Sequence, residues 1–268
     1  MDSFKKIYEK MMGMASVFND KAAISIDESK MNELKEIIHE LYTVAGKYNN
    51  SMEELIAVAK SKAIRTEYST QSKFLHRGYY CPSPIYDLVI GNSRRGELTN
   101  NPNATEYYQY NFDSNNAMVS AEQYATIPTG LNAQTIEFIF REGNTEYGLT
   151  FDNYAGQYAK KEISYLVKAE YLSGELISYS GCLHNSHISE DMTTLHHEDY
   201  FYTEGRLSKA DVYINVCPAF NSYDKNVYIF RYDDSGKIYE YDVQSQLRGK
   251  LYKDTHAVSK EKYIMRSF

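Results

Sequence analysis

Apolar residues change their period once along this chain. Up to about residue 66 they recur at helical spacing. Phe4, Ile7, Tyr8, Met11, Met12, Ala15 and Phe18 mark a first segment, and Met31, Leu34, Ile37, Ile38, Leu41, Tyr42 and Ala45 a second. Ser51 opens a third segment, with Glu54 placed for a reciprocal capping box, and Asn49-Asn50 forms a short link between the second and third. Beyond residue 66, Asn, Asp, Ser and Gly punctuate short stretches rich in Tyr, Ile, Val and Phe, which is the pattern of strands and turns.

Within that second region Gly143, Gly174, Gly205 and Gly236 stand 31 residues apart. Each follows an aromatic stretch and precedes an apolar one, so the spacing predicts one β-hairpin used repeatedly. Glycine supplies the positive φ that a tight hairpin turn needs. An earlier copy, Tyr108–Phe112 and Ala117–Val119 around Asp113–Asn116, brings the expected hairpins to five, or about ten strands. A hairpin cannot bury its apolar face alone, so the copies are expected to pair side by side with the helices covering one face. The predicted fold class is α+β: about three N-terminal helices packed on a large antiparallel β-meander of repeated hairpins. The expected organisation is a helical region over residues 1–66, a Tyr-rich hairpin domain over 67–246 and a basic segment over 247–268. Tyr86–Ile90 reads as a further strand, and Cys81-Pro82-Ser83-Pro84 as a break.

The last copy, Tyr232-Asp-Asp-Ser-Gly-Lys-Ile238-Tyr-Glu-Tyr241-Asp242, resembles the tyrosine–aspartate repeats of Rhs-type bacterial toxin shells. The resemblance covers about a dozen residues. It implies a Tyr-rich hairpin, and no function is carried over from it.

Composition adds a bias toward half-buried sheet surface, with 27 Tyr, 11 Phe and no Trp. Three cysteines cannot form a complete disulfide framework, and no run has the length of a membrane span, so the expectation is a cytoplasmic protein without a membrane partner. The net charge of −7 argues against a nucleic-acid partner. The charge is uneven. Residues 1–70 hold 10 basic and 11 acidic side chains and residues 244–268 hold 6 and 2, which leaves 13 basic and 23 acidic in the β-rich middle. Such a surface is either simply solvated or a docking face for a basic partner.

Four of the seven histidines, His184, His187, His196 and His197, lie between the third and fourth hairpins with Glu190 and Glu198. Imidazole and carboxylate are zinc ligands, so zinc is a candidate cofactor here, although the spacing matches no standard zinc signature. A polar loop that happens to hold histidine is the other reading. Cys182 beside His184 raises a Cys–His nucleophile without an orienting third group. No phosphate loop, dinucleotide fingerprint or nucleophile elbow is present.

The functional expectation is a protein–protein interaction module rather than an enzyme. Its concrete form is a bacterial immunity or inhibitor protein docking a basic toxin through an acidic Tyr-rich β surface. Tyr200, Tyr202, Tyr232, Asp233, Asp234 and Tyr239 are the candidate partner-binding residues. The alternative is a metal-dependent hydrolase using the His-rich loop.

Overall fold

A computed structural model of the chain describes residues 26–70, 76–85, 95–102, 106–127, 130–152, 161–247 and 250–257. The first helical segment read from the sequence and the strand expected at Tyr86–Ile90 lie outside them. Two α-helices are described, α1 (Glu28–Tyr48) and α2 (Met52–Lys62). Asp27 caps α1, its carboxylate accepting from the backbone N–H groups of Ser29 and Lys30. Ser51 sits at the N-cap of α2 without a side-chain hydrogen bond, so the expected capping box does not close.

The rest is one antiparallel sheet of 13 strands, and the protein is mostly β. The strands are β1 (Arg65–Thr70), β2 (Leu98–Thr99), β3 (Glu106–Phe112), β4 (Met118–Ile127), β5 (Gly130–Glu142), β6 (Thr145–Asp152) and β7 (Ile163–Leu172). They continue with β8 (Glu175–Leu183), β9 (Leu195–Thr203), β10 (Arg206–Cys217), β11 (Ser222–Tyr232), β12 (Ile238–Leu247) and β13 (Lys250–Ala257). From β3 to β13 the strands lie side by side in sequence order; β1 pairs with β3, and β2 pairs with the outer edge of β1. The five expected hairpins are β3–β4, β5–β6, β7–β8, β9–β10 and β11–β12. The additional strands are β1, β2 and β13; β13 is formed by residues of the basic C-terminal segment.

The glycine period is also a period of register. Ser173-Gly174 and Glu204-Gly205 form two-residue turns with both φ angles positive, the geometry whose twist matches a hairpin. Asp113 and Asp233 close the outer hairpins differently, each carboxylate accepting from backbone N–H groups two and four residues on. Two residues past Gly174, Gly205 and Gly236 come the buried Leu176, Leu207 and Ile238. A register shift follows each, leaving Ile177, Ser208 and Tyr239 as the extra residue of a bulge. The Tyr202 hydroxyl then donates to the Leu176 carbonyl and the Tyr232 hydroxyl to the Leu207 carbonyl, tying neighbouring hairpins together.

Both faces of the sheet's middle are covered. On the helix face, Met31, Leu34, Ile37, Ile38, Leu41 and Ala45 of α1 join a core with Phe138, Leu149, Phe151, Leu166 and Leu195. On the other face, the segment 76–85 runs across the sheet as a strap without regular strand structure. Its Ile85 packs with Val167, Tyr179, Tyr200 and Val212, while Tyr79 and Tyr80 pack on Tyr110 and Phe112.

Candidate functional site

Strand β9 carries the densest chemistry, and strand alternation divides it between the two faces. His197 and Asp199 point to the helix face; His196, Glu198 and Tyr200 point to the strap. Under α1, Ser180 Oγ lies 2.8 Å from His197 Nδ1, and His197 Nε2 lies 2.9 Å from Asp199 Oδ1. A carboxylate only accepts, so His197 donates through Nε2, and in the neutral ring its Nδ1 then accepts from the Ser180 hydroxyl. This is the donor order of a serine–histidine–aspartate relay. It is closed, however: Ser180 is 1% exposed beneath the helix, and the Lys30 ammonium of α1 sits 2.6 Å from Asp199 and 2.7 Å from Glu33. Burial pushes the Asp199 carboxyl up, but the bond to His197 and the Lys30 charge outweigh it and hold it at about 2. Burial works against the Lys30 ammonium too, and its bonds to Asp199 and Glu33 still raise it above its ordinary value.

Glu33, His197 and Asp199 are also the described residues whose ligand atoms come close enough to share a cation. Lys30 already supplies a positive charge at that point, so the group is compensated without a metal. The four histidines do not form one ligand set. His196 and His197 occupy opposite faces, His187 lies on the exposed loop, and His184 Nδ1 donates to the Ile163 carbonyl at 2.8 Å. Cys182 faces the helix core, bonded near Thr193, and burial raises its thiol to about 11. It does not pair with His184 and is not a poised nucleophile.

On the strap face Glu198 is fully buried and accepts from Ser83 Oγ at 2.9 and 2.7 Å, from the Tyr200 hydroxyl, and from His196 Nε2 at 2.5 Å. Beside it lies a second cluster. Arg77 reaches Glu137 at 2.5 Å and Glu146 at 2.6 Å, and His76 Nε2 stands 2.8 Å from Glu137. Arg77 and Gly78 both have positive φ, which turns the strap inward here. Burial alone would lower the Arg77 guanidinium, but the two carboxylates raise it well above its ordinary value. Burial would raise Glu137, and Arg77 and His76 pull it down to about 2. The role of the strap was not legible in sequence: Ser83 meets Glu198 across 115 residues, and no local period announces it.

The residues expected to contact a partner separate in the same way. Tyr200 is 5% exposed with its hydroxyl on Glu198, so it belongs to the interior. Tyr202 and Tyr232 are half-buried and bonded to carbonyls of the preceding hairpin, and Asp233 is engaged in its own turn. Asp234 and Tyr239 are exposed. Tyr239 is one of several exposed apolar side chains at the glycine end of the sheet, where Leu172 is 59%, Ile177 36%, Phe201 44% and Tyr239 48% exposed. Glu142, Glu175, Glu204 and Asp234 are exposed at the adjacent turns, alternating with Arg141, Arg206 and Lys237. Leu172, Ile177 and Phe201 were missed from sequence because each reads as an ordinary inward strand residue.

No protein-family model, no curated protein and no solved structure matches the chain. Among the described residues no helix is long and apolar enough to cross a membrane.

Proposed function

We propose that this protein is a protein–protein interaction module that docks a basic partner through the glycine end of its sheet, in the manner of an immunity or inhibitor protein that neutralises a toxin. The observation that carries the reading is the set of exposed Leu172, Ile177, Phe201 and Tyr239 on neighbouring hairpins, bordered by turns of mixed charge. Solvent gains nothing from such side chains, and a partner that covers them does. Of the acidic residues in the β-rich region, Glu142, Glu175, Glu204 and Asp234 are exposed at these turns and favour a basic surface on that partner, whereas Glu137, Glu146 and Glu198 are buried. The polar clusters of β9 serve in this reading to fix helix and strap on the sheet.

The test is affinity purification from cells that also express the neighbouring genes. A stoichiometric basic protein is expected, and its capture should fall about tenfold or more in Phe201→Ser and Tyr239→Ser, whose thermal unfolding should match that of the parent. Absence of any stoichiometric partner, or capture unaffected by both changes, would sink the proposal.

A further inference from the structure

At the start of α1, Glu33, His197 and Asp199 bring three ligand atoms within 4.8 Å of one another. The Lys30 ammonium sits among them, 2.7 Å from Glu33, 2.6 Å from Asp199 and 3.4 Å from His197 Nε2. It stands where a bound ion would stand, as a cation supplied by the fold itself. It brings one positive charge to two carboxylates, since the His197 ring is neutral when its Nδ1 accepts from Ser180. A divalent ion at the same point would balance both.

The donors and their support fit such an ion. Imidazole and carboxylate are zinc ligands, and three of them leave a fourth position for water. A metal-binding histidine is held through its other ring nitrogen. His197, 1% exposed, has that bond, with Nδ1 2.8 Å from Ser180 Oγ. A hydroxyl both donates and accepts, so Ser180 keeps the bond when the ring proton moves to Nδ1 and frees the Nε2 lone pair. Ligands about 2.1 Å from zinc stand roughly 3.4 Å apart, and a rotation of the Glu33 side chain, 51% exposed, closes the set to that spacing. The same open side admits the ion and lets the flexible Lys30 stem swing out. We propose that Glu33, His197 and Asp199 form a divalent metal site of the zinc type, and that zinc binds there by displacing the Lys30 ammonium into solvent. The site lies apart from the glycine-end surface and does not depend on it.

The experiment is calorimetric titration of the untagged full chain with zinc chloride at neutral pH, paired with acetylation of lysines by an amine-specific reagent and read by mass spectrometry. One zinc per chain is expected. Lys30 should be acetylated faster with zinc present, which zinc bound elsewhere would not cause. Lys30→Met removes the competing cation and should tighten binding about tenfold, since its charge-assisted bonds no longer have to break. Glu33→Gln should weaken binding about tenfold or more, with a thermal midpoint close to the parent's because the position is exposed. Should Lys30→Met fail to fold, Glu33→Gln and the acetylation rates carry the test. No saturable binding by the parent chain, a Glu33→Gln affinity equal to the parent's, a folded Lys30→Met that binds no more tightly, or Lys30 acetylation unchanged by zinc would overturn the assignment.

Discussion

Helix α1 covers one face of the sheet with six buried apolar residues, whereas the strap covers the other with an irregular backbone and a buried guanidinium. The difference follows from where each backbone finds its hydrogen bonds. A helix satisfies its own N–H and C=O groups, so its contact with the sheet can be largely apolar, with Lys30–Asp199 near its start and Glu40–Lys168 near its middle as polar clamps. The strap has no such internal ladder. Arg95 donates to the carbonyls of Cys81 and Ser83 at 2.6 and 2.5 Å, and the Tyr79 N–H donates to the Tyr110 hydroxyl at 3.1 Å. An irregular cover therefore needs polar side chains beneath it, and those side chains then need counter-charges in the sheet. Glu137 and Glu146 supply them for Arg77, and Glu198 accepts from the Ser83 hydroxyl.

Acid should expose both covers at once. Glu137 and Asp199 sit at about 2 in the fold, below the ordinary carboxyl values of about 4.3 and 3.9. Below those ordinary values the unfolded chain takes up the protons first. The stability these carboxylates contribute is therefore full above about pH 4.5 and lost as pH falls toward 2, which a urea-midpoint series across pH will read directly. Arg77→Met comes next. It removes the guanidinium shared by two buried carboxylates and leaves them, among the described residues, only His76 and the exposed Arg141, and equilibrium denaturation should show a loss of about 3–5 kcal/mol. Lys30→Met should lose less, about 1–2 kcal/mol, because Asp199 keeps His197 and is partly open to water. If Lys30→Met proved the more damaging of the two, the contrast between the covers would be reversed. Gly205→Ala, at φ +71°, touches neither cover and should cost about 1 kcal/mol in the same assay.

What could be read in advance is whatever repeats locally. The hairpins show in sequence because glycine and alternation act within a few residues, and the apolar stripe of α1 shows for the same reason. The bulges at Ile177, Ser208 and Tyr239 leave only a faint trace, a one-residue shift of the alternation that sets the inward Leu176, Leu207 and Ile238 three positions rather than two before Tyr179, Ala210 and Tyr241. The strap was hidden more deeply. Cys81-Pro82-Ser83-Pro84 reads as a break because nothing nearby pairs with it, and its partners lie on strands far along the chain. Charges mislead for a related reason: Glu137, Glu146 and Glu198 look like members of a solvated acidic face until a cover is laid over them. Likewise the histidine cluster is dense in sequence, but alternation sends His196 and His197 apart.

From β4 to β13 each described strand is bonded only to its neighbours in the chain, so none of these strands is trapped behind another. Pulled from its last strand, such a ribbon would open as a zipper, releasing one hydrogen bond at a time, and would offer little mechanical resistance. The tear would meet a first tie at β11, where the Tyr223 hydroxyl accepts from the Asp27 N–H, and then β9, where Lys30 and Ser83 anchor the two faces to parts of the chain far from the pulled end. The molecule is thus weak along its repeat and fastened across its middle, from Glu137 and Glu146 through Lys168 to β9, a design that lets the outermost described strands be lost without unseating the rest.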